Sequence, residues 1–320
     1  MWLSASGSKK LIIICLLLLL ASGFSAADQL PASESQSSSG ELEVLAEFTD
    51  PTGDDHGPGY YAYPNHDVFA PQQELLDLLS FSLKRHSGKD FYRFKFEFAR
   101  LTDPWDSRYG FSHPLIHLYF DTEEGGSAEL FREGANVSLN PDYSWNRHLR
   151  ISGWWVRLMA PDDDPWDMVR DLNIDAETSP WDVAEASIST EDGFIRLDLP
   201  REKMGRLDGS RLYLLVGAFD PFGEDYFRGI RQYPSNWSFY AAQEVNLDYA
   251  PRVIDYLQEE EGAQEEILAD FAEDYPEISP VKIPEREDPL RENFFLLVAL
   301  GYLTAAAIII SALEWLIYRS

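Results

Sequence analysis

Residues 92–98 read YRFKFEF, and their alternation decides the fold class. Tyr92, Phe94, Phe96 and Phe98 fall on one face, and Arg93, Lys95 and Glu97 on the other. Successive side chains of a strand point to opposite sides, so this contrast specifies a strand with one buried and one wetted face. Working outward, the turn Ser87-Gly88-Lys89-Asp90 separates it from an apolar strand candidate at 75–83. Further upstream, Val44, Ala46 and Phe48 alternate with acidic or neutral partners as far as Asp50. Downstream, 115–120, 151–159 (opening on Ser152-Gly153) and 212–219 are strand candidates. Asp192-Gly193 parts two alternating runs, Ala186/Ile188 and Ile195/Leu197/Leu199, which predicts a hairpin over 186–199. Between 42 and 250 no long stretch carries a 3.6-residue period. Many short strands at near-regular spacing predict an all-β fold, a single antiparallel β-sandwich.

Between the first two strand candidates lies DPTGDDHGPGYYAYPNHDVF, residues 50–69. It gathers Asp50, Asp54 and Asp55 around Gly53. A hard cation such as Ca²⁺ takes six to eight oxygen ligands, and carboxylates on a glycine-permitted turn supply them. One structural Ca²⁺ is therefore expected on Asp50, Asp54 and Asp55, with Asp77 from the next strand as a further ligand. The alternative is that Asp50 and Asp55 only cap turns through backbone N–H groups. The run Tyr60, Tyr61, Tyr63, Pro64 adds rigid aromatic bulk.

The opening Asp-Pro-x-Gly-Asp-Asp-x-Gly-Pro-Gly from Asp50 to Gly59 resembles that of the C-terminal domain of glucodextranase. Similar matches follow in order. They are the aromatic segment with Asp103-Pro104-Trp105 and Phe111-Ser112-His113-Pro114, then 134–137 (Gly-Ala-Asn-Val) with Trp145, Phe219 to Gly223, Trp237, and Ala250 to Asp255. The resemblance reaches to about Leu257. It implies a jelly-roll-like sandwich of the DOMON and family-9 carbohydrate-binding type, without the separate hydrolytic domain. Pro221, Glu224-Asp225 and Phe239-Tyr240-Ala241 depart from smaller, Gly-rich residues of the family, so ligand specificity does not carry over.

Of 320 residues, 55 are Asp or Glu against 26 Lys or Arg, a formal charge of −29. Such a surface repels nucleic acid and argues against a nucleic-acid partner. The one cysteine, Cys15, lies in the N-terminal apolar segment, so disulfide and thiolate chemistry are not expected beyond it. Lys9 and Lys10, an apolar run over 11–20 and the small residues Ser25, Ala26 and Ala27 predict a signal peptide over 1–27. A Ser-rich spacer over 28–41 follows, then the sandwich over 42–257. Residues 258–292 are acidic and Pro-containing and are expected to form a stalk, with Ile267, Leu268 and Phe271 on one face of a short helix. Apolar residues from Phe294 to Leu313, flanked by Trp315, Tyr318 and Arg319, predict a transmembrane helix over 293–318. The expected topology is type I, with the sandwich on the extracytoplasmic side of the cell membrane.

Catalytic signatures are not indicated. There is no Gly-x-Ser-x-Gly elbow or phosphate loop; His113 and His117 stand four apart but share a strand face with no further ligands, and the carboxylates Asp162 to Asp164, Asp167 and Asp171 sit in an acidic insertion. Aromatic side chains are the better candidates, because sugars lay apolar C–H faces on flat rings. Trp154, Trp155, Trp166, Trp181 and Trp237 exceed what a sandwich core readily absorbs; Trp166, Trp181, Tyr60 and Tyr61 are the expected ligand contacts. The sequence supports a non-catalytic carbohydrate-binding protein for α-glucan or envelope polysaccharide. A structural or protein-interaction module of the envelope is the alternative. A haem-binding DOMON domain ranks third, since His113, His117, His148, Met159 and Met168 show no recognisable ligand arrangement.

Overall fold

The computed structural model describes residues 41–165, 171–172, 174–175, 185–191, 193–258 and 263–285, with short helical runs between 302 and 319. Two six-stranded sheets carry the fold. The first has β1 (Leu42–Thr49), β3 (Leu78–His86), β4 (Phe91–Phe98), β11 (Phe194–Pro200), β10 (Ala186–Glu191) and β9 (Ile174–Asp175), in that order. The second runs β15 (Val253–Tyr256), β12 (Arg211–Ala218), β5 (Pro114–Asp121), β7 (Arg147–Ile151) and β8 (Val156–Met159), with β17 (Val281–Lys282) also on β12. Neighbours are antiparallel in both sheets except β9 with β10. Two small sheets add β2 (Tyr61–Ala62) with β14 (Phe239–Ala241) and β13 (Ile230–Arg231), and β6 (Ser138–Leu139) with β16 (Glu277–Ile278).

The alternation of β4 comes out as expected: Tyr92, Phe94, Phe96 and Phe98 are buried and face the other sheet. They meet Ile116, Leu118 and Phe120 of β5 and Leu212, Leu214 and Val216 of β12, with the Phe94 and Phe120 rings 6.1 Å apart. Fully burying one such ring contributes about 1.5–3 kcal/mol. The 186–199 hairpin also forms, turning at Gly193 with φ +88°. β5 and β12 are buried on both faces, which is why they read as continuous apolar runs. The outer face, Leu115, Tyr119, Tyr213 and Leu215, lies under a second cluster with Trp145, Phe227, Leu268 and Ile278.

Three expectations are corrected. A β-bulge between Val44 and Ala46 shifts the register of β1, so Leu45 is buried and Val44 is exposed. Residues 151–159 are the end of one strand and the start of another. Ser152 Oγ accepts the N–H groups of Trp154 and Trp155 and closes a turn, and a Cβ on Gly153 would overlap the Phe111 carbonyl. The segment expected as a stalk is part of the fold as far as Ile283. Helix α1 (Arg201–Met204) and helix α2 (Gln264–Leu268) are both short. Gln264 of α2 donates to the Asp54 carbonyl and accepts from the Tyr256 N–H, while Leu268, Phe271, Ile278, Val281 and Ile283 are buried. Apolar residues spaced between acidic ones gave this segment a wetted composition, and its buried face emerges only on docking. Residues 1–40 and 286–300 lie outside the described residues. Among the described residues no helix is long and apolar enough to cross a membrane.

Candidate functional site

Two arrangements of side chains stand out, one acidic and one aromatic. The acidic one forms where the first strand of one sheet meets the last long strand of the other. Asp50 follows β1, with its N–H bound to the Leu79 carbonyl. Asp77 precedes β3 and accepts from the Gly53 N–H at 2.9 Å, which ties it to the glycine turn. Asp255, on β15, is fully buried and accepts from the Leu78 N–H at 2.7 Å, linking the edge strand of the second sheet to the start of β3 in the first. Asp50, Asp54 and Asp255 each present one carboxylate oxygen within 4.8 Å of the others. One oxygen on each of Asp50, Asp54, Asp77 and Asp255 is buried with no hydrogen-bond partner.

That geometry is electrostatically unfavourable without a cation. Burial, followed by the neighbouring charge of Asp54, pushes Asp50 up to about 8. Burial also raises Asp54 to about 6 and Asp77 to about 7, and drives Asp255 well above the ordinary carboxylate range, with the Asp50 charge adding to it. Three carboxylates, Asp50, Asp54 and Asp255, converging from two parts of the chain with Asp77 beside them fit an ion that binds oxygen at 2.3–2.6 Å. Of the four residues expected at the metal, the structure brings Asp50 and Asp54 together with Asp77 close by. Asp55 is turned away, because its carboxylate accepts from the Tyr63 hydroxyl and lies 3.7 Å from His56 Nε2. Asp255 was missed. Its signal was a lone carboxylate in the otherwise apolar strand Val-Ile-Asp-Tyr.

The aromatic arrangement is a groove of about 750 Å³ at one end of the sandwich. Trp105 comes from the loop after β4, Trp154 from the β7–β8 turn, Phe219 to Phe222 from the segment after β12, and Trp237 from the β13–β14 connection. Trp237 is 48% exposed and stacks on His66 at 4.2 Å. Trp154 stacks on Phe219 at 4.5 Å, and Trp105 lies edge-on to His113 at 5.0 Å. Phe222 is 96% exposed on the rim. Arg228 is buried beneath, donating to the carbonyls of Phe219 and Trp237, with its guanidinium 5.0 Å from the Phe69 ring centre. The polar lining is completed by Asp220, Arg231 and Ser238. Flat rings held by their neighbours, with a few polar groups among them, form a preorganised binding surface.

The expected ligand aromatics are distributed differently. Tyr61 is a core side chain packed against Gly57, and Tyr60 is half-buried with its ring edge-on to Tyr61 at 5.5 Å. Neither lines the groove. Trp166 and Trp181 lie outside the described residues. Trp155 is buried, with the Arg157 guanidinium 4.2 Å from its ring centre. The three tryptophans of the groove sit in polar, turn-rich stretches far apart in sequence, and only the fold assembles them.

The histidines are packing groups. His113 lies against Phe69 and Trp105, and burial lowers it to about 4. His117 and His148 are fully buried on the outer face of the second sheet, with Tyr119 stacked on His148 at 3.8 Å. Beside them Arg150 donates to Asp225, which Arg132 also approaches at 3.5 Å.

A β-sandwich bearing a preformed aromatic groove is a binding module. The chain matches the C-terminal binding module, SLH-like, of glucodextranase over residues 45–282, and it belongs to that family. The match covers β17, in agreement with the packing of the segment beyond Leu257. The family is one of binding modules, not of catalytic domains. Comparison with curated proteins finds no match.

Proposed function

We propose that this protein is a non-catalytic carbohydrate-binding protein that holds polysaccharide, α-glucan or an envelope polymer, at the extracytoplasmic face of the cell membrane. The observation that carries the reading is the groove of Trp105, Trp154, Phe222 and Trp237. Rigid rings lose little conformational entropy on binding, and their faces match the C–H faces of pyranose rings. Membership of a binding-module family supports the same reading. The apolar sequence over 294–313 supports anchoring by a C-terminal helix, and the basic and apolar N-terminus supports export. A tethered array would add avidity to a weak single site.

The acidic site is proposed to hold one structural Ca²⁺ through Asp50, Asp54 and Asp255, with Asp77 as a further ligand. The ion would neutralise the buried carboxylates and clip the edge strand β1 of one sheet to β15 of the other. Retention of the full chain on insoluble glucans and on native envelope polysaccharide tests the binding function. Trp237→Ala is expected to weaken retention. A chain that no polysaccharide retains would remove the reading.

A further inference from the structure

The charge inside the groove opposes the charge of the molecule. The chain carries 55 acidic side chains against 26 basic ones, yet the groove is lined by two guanidinium groups, Arg228 and Arg231, and one carboxylate, Asp220. Asp220 lies 3.5 Å from Arg228, so those two charges offset one another. Arg231 has no acidic partner among the described residues. Its Nε donates to Ser238 Oγ at 3.2 Å, which fixes the guanidinium plane and leaves the two terminal nitrogens for another acceptor. Both Arg231 and Ser238 line the groove with Trp237, so the fork stands beside the aromatic face. Buried Arg228 keeps one donor, Nε, without a partner.

We propose that the groove takes a glycan bearing carboxylates, a polyuronate segment, and that Arg231 selects it; this rests on the carbohydrate-binding reading above. A guanidinium offers a planar pair of donors whose spacing matches a carboxylate, and charge-assisted bonds of this kind are about twice as strong as neutral ones. A neutral hexose offers only hydroxyls to the same fork. It leaves the charge of Arg231, which is open to water at the groove, without a counter-ion. A uronic acid places its ring on Trp237 and its C5 carboxylate at the edge of that ring, where a charged fork beside the aromatic face can meet it. The negative surface elsewhere does not prevent this, since charges farther than about 8 Å are largely screened at physiological salt.

The test is affinity electrophoresis of the full chain through polygalacturonate, through the same polymer methyl-esterified, and through dextran. Esterification keeps the sugar ring and removes only the charge. Polygalacturonate is expected to retard the chain with an affinity at least about tenfold above the ester. Arg231→Gln should bring the two to the same level, and Arg231→Lys should restore part of the difference. Dextran or the ester binding as tightly as the acid, or Arg231→Gln leaving the acid unaffected, would overturn the role of Arg231 while Trp237-dependent retention kept the groove as a glycan site. Retardation by none of the three polymers would overturn the inference, and the carbohydrate-binding reading would fall with it only if insoluble glucans and native envelope polysaccharide also failed to retain the chain.

Discussion

The carboxylates of Asp50 and Asp255 bring oxygens within 4.8 Å of each other, though one residue follows the first strand and the other lies on β15 of the opposite sheet. Both are pushed above the ordinary value of 3.8, Asp50 to about 8. A carboxyl whose pKa is raised by folding binds its proton more tightly in the native state. Its contribution is fully present below the unfolded value and is lost as pH rises through the folded one. In a chelator, the thermal midpoint should therefore fall as pH rises from about 4 towards about 8. Ca²⁺ should raise the midpoint most at the alkaline end, because the ion replaces the protons. Calorimetric melts across that interval check this. A midpoint indifferent to Ca²⁺ would leave the turn-capping alternative standing.

Asp255→Asn separates repulsion from ligation. The amide oxygen still accepts the Leu78 N–H, so that bond survives. Above the interval and without Ca²⁺, the variant should melt higher than the parent, since one buried charge is gone. With Ca²⁺ it should melt lower than the parent, since a ligand is gone. The order of the two melting curves should thus invert on adding the ion, which mere loss of packing would not produce.

How much of this was legible in the sequence depends on how local the cause is. Tyr92 to Phe98 alternate because one face of β4 meets the core, and that pattern needs no knowledge of the rest of the chain. Val44 misled because a bulge inserts one residue, which moves Leu45 inward without changing the composition. Asp50 and Asp54 share one glycine turn and could be read as ligands. Asp255 joins them only because β15 pairs with β12 at the far edge of the second sheet. The groove is the extreme case. Trp105, Trp154 and Trp237 come from three connections, and none has a neighbour in sequence that signals a shared surface.

Gly153 should be intolerant of any side chain. A Cβ there would overlap the Phe111 carbonyl and crowd Ser107 Oγ at 2.9 Å, and Ser107 itself binds that carbonyl. Backbone cannot yield as a flexible side chain can. Gly153→Ala is expected to cost about 3 kcal/mol, at the upper end for overpacking. Gly53→Ala meets nothing within 4 Å and loses only the left-handed preference at φ +85°, so about 1 kcal/mol is expected. Urea unfolding of the two variants gives the comparison.

Asp225 should be among the least replaceable residues outside the binding surfaces. It is buried and accepts from Arg150, and Arg132 lies 3.5 Å away. Arg150 is itself buried, with Trp155, Tyr226 and Phe131 ring centres 5.5–5.9 Å from its guanidinium carbon. Asp225→Ala strands that charge, at an expected cost of about 3–5 kcal/mol. Replacing Arg150 by Met in the same chain should recover part of the loss. Equal instability of the double and single variants would mean that Asp225 acts through the local backbone, where it holds φ +44°.

The groove residues should divide by what else they do. Phe222 is almost wholly exposed and Trp237 half so, whereas Trp154 is half-buried and stacked on Phe219 at 4.5 Å. Phe222→Ala and Trp237→Ala are each expected to shift the melting temperature by no more than about 2–4 °C, the equivalent of 1 kcal/mol in a domain of this size. Each should weaken polysaccharide binding, since a ring under a sugar contributes about 0.5–1.5 kcal/mol beyond area burial, by analogy with aromatic pairs. Trp154→Ala should lower both stability and binding, because it removes a wall that other rings lean on. Binding loss confined to the destabilised Trp154 variant, with Trp237→Ala and Phe222→Ala retained like the parent, would show that the polysaccharide meets the protein elsewhere.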